Sequence, residues 1–496
     1  MSELRTNILI SDLLKMPSET PWIEFKESNN NAELIGKLIS ALSNAACMND
    51  KPCAYVLWGI EDKSHKPVGT QFHPFSQKQN KQPLELWLAQ HLNPAPAIRF
   101  QEITYQGKNL VLLEIPAANS TPVEFDRTAY IRIGEATPKL SDHPQHLRTL
   151  WAKLQSFAWE SGIAASFLDG DTVLDRLDYT AYFGMTDQRL PDNRTDIFNK
   201  LDADGLIRKD VGEYWNITHL GAILFAKRLS DFPSAIARKA VRFVAYKGIS
   251  RADTVMHRLD EERDNQGYAI GFASLLDYIN KLIPRNEHIG AAFREEQPLY
   301  PVIAIRELVA NALIHQDMTI TGTGPLIELF ADRLEITNPG QPLVAPSRFL
   351  DLPPRSRNEA LAALMRRMKI CEEQGTGIDK VLTAVEMHQL PAPDFRAENQ
   401  VENPAVRVIL FAPRRFADMT PQERIRACYQ HAALCYVAGK KMTNASLRER
   451  LGIEQQNSSQ ASNVIKMTLK EKLICFADPQ HPKIGYYPIW AQPDEI

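Results

Sequence analysis

The 496-residue sequence has no apolar run near the roughly 20 residues that a membrane-spanning helix needs. Its start, MSELRTNILI, has no apolar core of a signal peptide. The six cysteines form no C-x-x-C pair, which argues against a zinc site and fits a reducing compartment. The net charge of −3 shows no excess of positive charge. We therefore expect a cytoplasmic protein with no membrane partner, in which any nucleic-acid surface is a local basic patch.

The chain is too long for one ordinary hydrophobic core, so several domains are expected. Hydrophobic residues make up 44% and charged residues 24%, which is typical of globular proteins. The order of apolar patterns predicts a multidomain α/β protein. The predicted domains are a mixed α/β domain at 1–155, a helical segment with a winged-helix layout at 156–238, a second α/β domain at 239–415 and a C-terminal winged helix at 416–496.

The first domain opens with alternating side chains in WIEFKES, which predict a strand. Asn30 or Asn31 then caps a helix with an apolar stripe that includes Leu34 and Leu38. The run AYVLWGI predicts a buried strand. A hairpin is predicted to turn at Gly107, and TAYIRIGEAT predicts a further strand.

Acidic residues cluster around the first two predicted strands. Glu24 and Lys26 share one face of the first strand, because strand side chains alternate. If the second strand pairs beside the first, the turn that carries Asp62 approaches the same edge. Together with Glu19, these carboxylates are candidate ligands for one or two Mg²⁺ or Mn²⁺ ions in phosphodiester cleavage, and Lys26 would offset phosphate charge. The alternative is a solvated charged strand face.

The run ETPWIEFKES, the helix SALSNAACM and the run AYVLWGIEDKSHKPVG closely resemble the Schlafen AlbA-type domain. In Schlafen nucleases two glutamates and an aspartate bind the metal that cuts structured RNA such as tRNA. The resemblance assigns these roles to Glu19, Glu24 and Asp62, with Glu61 as a possible substitute for Asp62. The sequence departs from the family where CMNDKPCAY replaces a Gly-Gly turn, which leaves the acidic positions untouched.

A polar stripe lies on the predicted helix YPVIAIRELVANALIHQD. Glu307, Asn311 and His315 stand four residues apart and share one face, while Val302, Ile305, Val309 and Ala312 are predicted to form a core face. Polar groups on an otherwise apolar helix are costly to bury without partners, so the stripe should face a ligand. A glutamate can position water for ATP hydrolysis, and an asparagine oxygen can bind Mg²⁺.

A glycine loop, Gly375-Thr376-Gly377, precedes a later helix and can approach phosphates. Each signal alone has an ordinary alternative, a common turn or a solvated face. In this order they resemble the GHKL (Bergerat) ATPase fold, an α/β sandwich, in the divergent version fused to AlbA-type domains in bacterial proteins. The resemblance implies ATP and Mg²⁺ as cofactors, with Glu307 as base and Asn311 as magnesium ligand. Asn338-Pro339-Gly340 replaces the usual adenine-reading D-x-G-x-G, so Asn338 and Gly340 are the candidate base contacts.

The bacterial family includes proteins labelled transcriptional regulators and RecG-like helicases, but this sequence has no G-x-x-x-x-G-K-[ST] loop and no D-E-x-H motor signature. The C-terminal helices carry cations for phosphate contacts, namely Arg448, Arg450, Lys466, Lys470 and Lys472. The alternative is a packing or dimerisation module.

Two functions from different classes follow. The first is an ATP-regulated, metal-dependent endonuclease of RNA or DNA, with a possible role in antiviral defence. The second is an ATP-responsive DNA-binding transcriptional regulator that does not cleave. A third interpretation keeps the ATP-binding fold only as a dimerisation scaffold, and a homo-oligomer, at least a dimer, is expected.

Overall fold

The computed structural model describes most of the chain, in two compact units. Unit 1 comprises Met1–Ala158 and Asp210–Tyr214, and unit 2 comprises Trp159–Lys209 and Trp215–Ile496. Of the described helices, none has both the length and the apolar character to cross a bilayer. The described residues are 3–16, 20–28, 30–61, 64–155, 159–259, 265–289, 294–353, 355–371, 377–398, 404–481 and 484–491.

Unit 1 alternates short helices and strands. Its elements are α1 (Glu3–Leu14), β1 (Ile23–Lys26), α2 (Ala32–Met48), β2 (Cys53–Trp58), β3 (Lys78–Gln79), β4 (Gln82–Pro83), α3 (Leu84–His91), β5 (Leu92–Asn93), β6 (Arg99–Tyr105), β7 (Lys108–Pro116), β8 (Glu124–Phe125), β9 (Thr128–Ala129) and α4 (Pro144–Gln155). The expected strand TAYIRIGEAT is wrong as a single strand, because only β9 and isolated bridges at Tyr130–Lys139 and Ile133–Ala136 form there.

The central sheet of unit 1 has the order β1-β2-β7-β6. β1 and β2 run parallel, which confirms the expected pairing of these strands. Both faces of the sheet are buried at β2, which explains the continuous apolar run of this strand. Val56 and Trp58 belong to the core that contains α2, whereas Leu57 belongs to the core that contains α1. Asn31 caps α2 by accepting a hydrogen bond from the Leu34 N–H, although Leu34 itself is exposed.

Unit 2 begins with three short helices and a three-stranded sheet of order β10-β12-β11. This is the predicted order of helices followed by two strands. The elements are β10 (Ile163–Leu168), α5 (Gly170–Arg176), α6 (Tyr179–Met185), α7 (Arg194–Ala203), β11 (Ile207–Lys209), β12 (Trp215–Thr218), α8 (His219–Phe225) and α9 (Ser234–Ala237).

A six-stranded mixed sheet follows, with the order β14-β13-β17-β18-β20-β19. One continuous hydrophobic core joins its helices to the preceding segment, from Ala164 to Leu410. The elements are β13 (Arg242–Tyr246), β14 (Val255–Arg258), α10 (Tyr268–Leu282), β15 (Arg285–Ile289), β16 (Arg294–Pro298), α11 (Val302–Ile314), β17 (Leu326–Leu329), β18 (Arg333–Pro339), α12 (Glu359–Arg367), α13 (Gly377–Met387), β19 (Asp394–Glu398) and β20 (Ala405–Phe411).

The C-terminal part of unit 2 has a separate small core. Its elements are α14 (Pro421–Val437), α15 (Asn444–Leu451), α16 (Ser458–Lys470), β21 (Ile474–Phe476) and β22 (Tyr486–Pro488). Thr443 caps α15 by accepting a hydrogen bond from the Ser446 N–H, and Gly452 ends the helix in the left-handed conformation that favours glycine. Short 3₁₀ turns lie at Leu140–Asp142, Trp159–Ser161, Leu229–Asp231, Pro346–Arg348, Phe416–Asp418, Gln455–Asn457 and Ile489–Ala491.

Candidate functional site

A cavity of about 580 Å³ in unit 2 gathers residues that the sequence assigns to ATP binding. Its volume lies within the range of about 300–1,000 Å³ that is usual for small-molecule sites. Five of the predicted cofactor residues line it: Glu307, Asn311, His315, Asn338 and Gly377. They come from α11, β18 and α13, so the fold brings together positions up to 70 residues apart.

The polar stripe of α11 faces this cavity. Glu307 is 1% exposed, and Asn311 and His315 are half-buried. On the opposite side of the helix Ile305 and Val309 are buried, as predicted for a core face. Val302 was wrongly placed in that face, because it lies in the first turn and is 46% exposed. Ala312 is buried but lines the cavity.

The first residue of α13 lies against the Glu307 carboxylate. A Cβ atom added to Gly377 would stand 3.0 Å from Glu307 Oε2 and 3.8 Å from Asn311 Nδ2. Because 3.0 Å is tighter than ordinary van der Waals contact, a side chain here would press on the carboxylate. Without a side chain, Gly377 brings the N-terminus of α13 close to the acid, and the backbone N–H groups at a helix N-terminus favour an anion.

The electrostatics of the stripe are set by neighbouring arginines. Arg306 Nη1 lies 2.6 Å from Glu307 Oε1, and Arg306 Nη2 donates to the Lys369 carbonyl at 2.8 Å. Burial, and next the positive charge of Arg357, lower the pKa of His315 below its ordinary value. The His315 imidazole is therefore neutral near pH 7 and can accept or donate a hydrogen bond.

Asn338 and Gly340, the two candidate contacts to the adenine base, lie in different surroundings. Asn338 is 6% exposed and lines the cavity at the end of β18. Gly340 does not belong to the lining. Its φ of 107° favours glycine, and a Cβ atom there would stand 2.6 Å from the Asp317 Cβ. Gly340 therefore lets the chain pass Asp317, with Arg357 close by.

Several lining residues were missed by the sequence analysis. Three arginines, Arg355, Arg357 and Arg366, bring positive charge to the rim, and Phe349, Phe395, Val406 and Val408 form an apolar wall. Arg357 and Arg366 lie near the two ends of the run RNEALAALMRR, and these basic residues were the available signal. The wall comes from a connection and from β19 and β20, whose closeness to α11 depends on sheet order rather than on local sequence.

In unit 1, Glu24 is buried and paired with two cations. The side chain is 1% exposed, and its two carboxylate oxygens form ion pairs with Lys26 and Arg132. Arg132, also buried, was missed by the sequence analysis, although an arginine inside the apolar run TAYIRI was a signal. A divalent cation on Glu24 would lie beside a guanidinium and an ammonium group, so Glu24 as described does not fit a metal ligand.

The asparagine of helix α2 holds the chain segment that precedes Arg132. Asn44 Nδ2 donates to the carbonyls of Val123 and Tyr130, and Asn44 Oδ1 accepts from the Val123 N–H at 2.8 Å. Ser40, one turn earlier, accepts from the Tyr130 N–H at 3.0 Å. These buried bonds fix the backbone that presents Arg132 to Glu24.

Four predicted site residues, Glu19, Asp62, Gly375 and Thr376, lie outside the described residues. Glu61 is exposed and accepts a hydrogen bond from the Ser64 hydroxyl. Within the described part of the chain, no group of three His, Cys, Asp or Glu side chains is arranged to hold a metal ion.

The C-terminal cations divide into exposed and buried groups. Lys466, Lys470 and Lys472 are exposed. Arg450 was wrongly expected to face phosphate, because it is 8% exposed and binds Glu386 and the Leu390 carbonyl. Arg448 is half-buried and donates to Asn444.

Comparisons with known proteins match both halves of the chain. Residues 19–141 match the family model described as "Schlafen, AlbA_2". Residues 322–410 match the model described as "Putative ATP-dependent DNA helicase recG C-terminal". A search of curated proteins finds no match.

Among solved structures, the chain is similar to the crystal structure of the DIP2311 protein from Corynebacterium diphtheriae. The similarity covers 94% of this chain and 93% of that one, with 17% identity and a TM-score of 0.40. Similarity at this level carries no argument about function. The two family matches are the stronger finding, and they show that the chain combines a Schlafen AlbA_2 domain with a domain of the RecG C-terminal type.

Proposed function

We propose that the chain is an ATP-binding protein that acts on nucleic acid. The observation that carries the proposal is the single cavity that gathers Glu307, Asn311, His315, Asn338 and Gly377. The printed description of the family matched at 322–410 refers to an ATP-dependent protein, which supports ATP as the ligand. The lining fits a nucleotide, since it offers carboxylate, amide, guanidinium and apolar surfaces to one ligand.

Each part of the lining has a chemical counterpart in Mg·ATP. The Asn311 side-chain oxygen would hold the magnesium ion, and the Glu307 carboxylate would orient a water and accept its proton. The N-terminus of α13 at Gly377, together with Arg355 and Arg366, would bind phosphate oxygens. The apolar wall at Phe395, Val406 and Val408 would cover the base, beside Asn338. The bound magnesium supplies charge neutralisation at the phosphates.

Arg306 has a direct bearing on hydrolysis. Its guanidinium lies against Glu307 Oε1, so one oxygen of the carboxylate is already engaged by a cation. Glu307 would act as base only after this ion pair rearranges. We therefore propose binding of ATP as the primary property and slow hydrolysis as the secondary one.

The nucleic-acid part of the proposal rests on unit 1 and on the C-terminal segment. The Schlafen AlbA_2 match supports unit 1 as the acting domain. Lys466, Lys470 and Lys472 on or beside α16 support phosphate contacts by a winged-helix segment. A homodimer is part of the proposal, and light scattering of the purified chain would test it.

Metal-dependent cleavage of RNA or DNA, and with it a role in defence, stays a prediction. The pairing of Glu24 with Lys26 and Arg132 favours the second candidate, an ATP-responsive DNA-binding regulator without nuclease activity. A nuclease would have to release Arg132 from Glu24 before a metal ion could bind there.

One assay separates the two candidates. The purified chain is incubated with labelled tRNA, single-stranded DNA and duplex DNA, with and without ATP and Mn²⁺. A nuclease cleaves at least one substrate in Mn²⁺, and Glu24→Ala abolishes cleavage while binding persists. A regulator binds duplex DNA and cleaves nothing. Cleavage that survives in Glu24→Ala would contradict the assignment of Glu24, and neither binding nor cleavage would contradict the nucleic-acid proposal.

A further inference from the structure

Three reactive side chains meet in unit 2 between α13 and α14. Glu386 Oε2 lies 3.0 Å from His431 Nδ1, and the other ring nitrogen, Nε2, lies 3.7 Å from Cys435 Sγ. His431 and Cys435 are four residues apart on one helix, so they share a face. The carboxylate, imidazole and thiol therefore form a continuous chain of contacts.

The carboxylate at one end of this chain is fixed. Arg450 Nε lies 3.1 Å from Glu386 Oε1, and Arg450 Nη2 donates to the Leu390 carbonyl at 2.8 Å. Glu386 in turn orients His431, so the ring cannot turn without losing this bond. A base oriented by a third group beside a nucleophile is the arrangement that activates a thiol.

The charge of the imidazole suits this role. Burial alone would lower the pKa of His431, but the hydrogen bonds with Cys435 and Glu386 raise it to about 9. Near pH 7 the ring is therefore an imidazolium, with its Nε2–H directed at sulfur. Arg450, buried on the far side of Glu386, forms an ion pair with that carboxylate. A cation beside sulfur favours the thiolate, which is the nucleophilic form.

We propose that Cys435 is a modification site, a reactive thiol that small hydroperoxides oxidise to sulfenic acid. Cys435 is half-buried, which admits a small neutral oxidant and hinders a protein partner. Among the described residues, no group of three His, Cys, Asp or Glu side chains, these three included, is arranged to hold a metal ion.

The step balances with a hydroperoxide as oxidant. The thiolate sulfur attacks one peroxide oxygen, so the S–O bond forms and the O–O bond breaks. Sulfur loses two electrons and the peroxide gains them. The departing oxygen takes the proton from His431 Nε2 and leaves as water, or as an alcohol if the peroxide is organic. His431 ends neutral.

Cys47 serves as an internal comparison for Cys435. Cys47 is also half-buried, but burial, and next the charge of Asp50, raise the pKa of its thiol. Burial also raises the pKa of Cys53, to about 12. We therefore expect Cys435 to react first and Cys47 and Cys53 to follow slowly.

The test is peptide mapping of the full reduced chain after a short exposure to limiting iodoacetamide and, separately, to hydrogen peroxide followed by dimedone. Cys435 should react at least about tenfold faster than Cys47. His431→Gln should lower the rate at Cys435 by about tenfold and leave Cys47 unchanged. His388 follows α13, and its ring contacts the Ala384 carbonyl. His388→Gln is the control and should change neither rate.

A pH profile of the unaltered chain covers the case in which His431→Gln fails to fold. Between about pH 6 and 8 the rate at Cys435 should rise less steeply than the rate at Cys47, because the His431 ring nitrogen Nε2 lies 3.7 Å from the Cys435 sulfur. Equal rates for the two cysteines, parallel pH profiles, or fast labelling of Cys435 that persists in His431→Gln would each overturn the proposal.

Discussion

Unit 1 and unit 2 each bury a glutamate that the sequence assigns to chemistry, and the two differ in what surrounds them. Glu24 and Glu307 are both 1% exposed. Both oxygens of Glu24 are in ion pairs, with Lys26 and Arg132. Glu307 has Arg306 at one oxygen and faces a cavity of about 580 Å³ beside Gly377. A glutamate at the expected motif position is therefore a stronger candidate for binding a ligand where a cavity adjoins it, as at Glu307.

The largest expected effect breaks the ion pair in unit 1. Arg132→Met removes one of the two cations paired with the buried Glu24, which should cost about 3–5 kcal/mol of stability. Hydrogen exchange in peptides that cover β1 and β2 measures the loss locally. Arg189→Met removes an exposed ion pair with Asp192 and should change protection little. Unchanged protection in Arg132→Met would mean that Glu24 is not held as described.

A second test concerns a buried charge of unit 2. Lys239 is 1% exposed, and burial lowers its pKa from 10.5 to about 8. The unfolded chain binds this proton more tightly, so Lys239 makes stability rise as pH increases from about 8 to 10.5, by at most about 3 kcal/mol. Below about pH 8 Lys239 is protonated in both the folded and the unfolded chain, so the full free-energy cost of burying its charge is present.

Lys239→Met should remove this rise from the unfolding free energy, measured in urea at several pH values. The difference between the two proteins isolates Lys239 from other groups that titrate in the same range. Parallel pH curves for the two proteins would show that Lys239 keeps an ordinary pKa.

A third test addresses the close approach of α13 to Glu307. Gly377→Ala places a Cβ atom 3.0 Å from Glu307 Oε2 and should weaken nucleotide binding about tenfold, or by about 1.4 kcal/mol. Gly184→Ala is the matched control in the same unit, because no atom lies within 4 Å of its added Cβ. Titration of a fluorescent ATP analogue measures both. Equal affinities would place the phosphates elsewhere.

The smallest effect concerns the C-terminal cations. Lys470→Ala should weaken duplex DNA binding several-fold and reduce the salt dependence of the affinity by about one ion. Arg450→Ala should instead destabilise the segment around Glu386, because Arg450 is buried. Binding isotherms at several salt concentrations, together with thermal unfolding, distinguish the two. An unchanged salt slope in Lys470→Ala would remove this lysine from the proposed interface.

Local sequence pattern was enough to predict several of the helices and strands. Period-two alternation predicted β1, Asn30 or Asn31 was expected to cap α2, and the four-residue spacing of Glu307, Asn311 and His315 predicted one polar face. These features depend on neighbours within one or two turns, so the sequence contains them directly. The placement of all three side chains at one cavity agrees with that analysis.

The partners of these residues depend on distant parts of the chain. Arg132 reaches Glu24 from 108 residues away because Asn44 and Ser40 hold the intervening backbone. The apolar wall at Phe395 and Val406 reaches α11 through sheet order. Arg450 is basic like its neighbours, and only the fold buries it against Glu386. Residue type therefore predicted the chemistry available, whereas charge pairing and burial required the structure.

Calorimetry of the full chain with magnesium and a non-hydrolysable ATP analogue tests the central claim most directly. The cavity beside Glu307 predicts saturable binding of one nucleotide per chain, and Asn311→Ala should abolish or strongly weaken it without unfolding the protein. Absence of binding to the native chain, or equal binding to Asn311→Ala, would contradict the account.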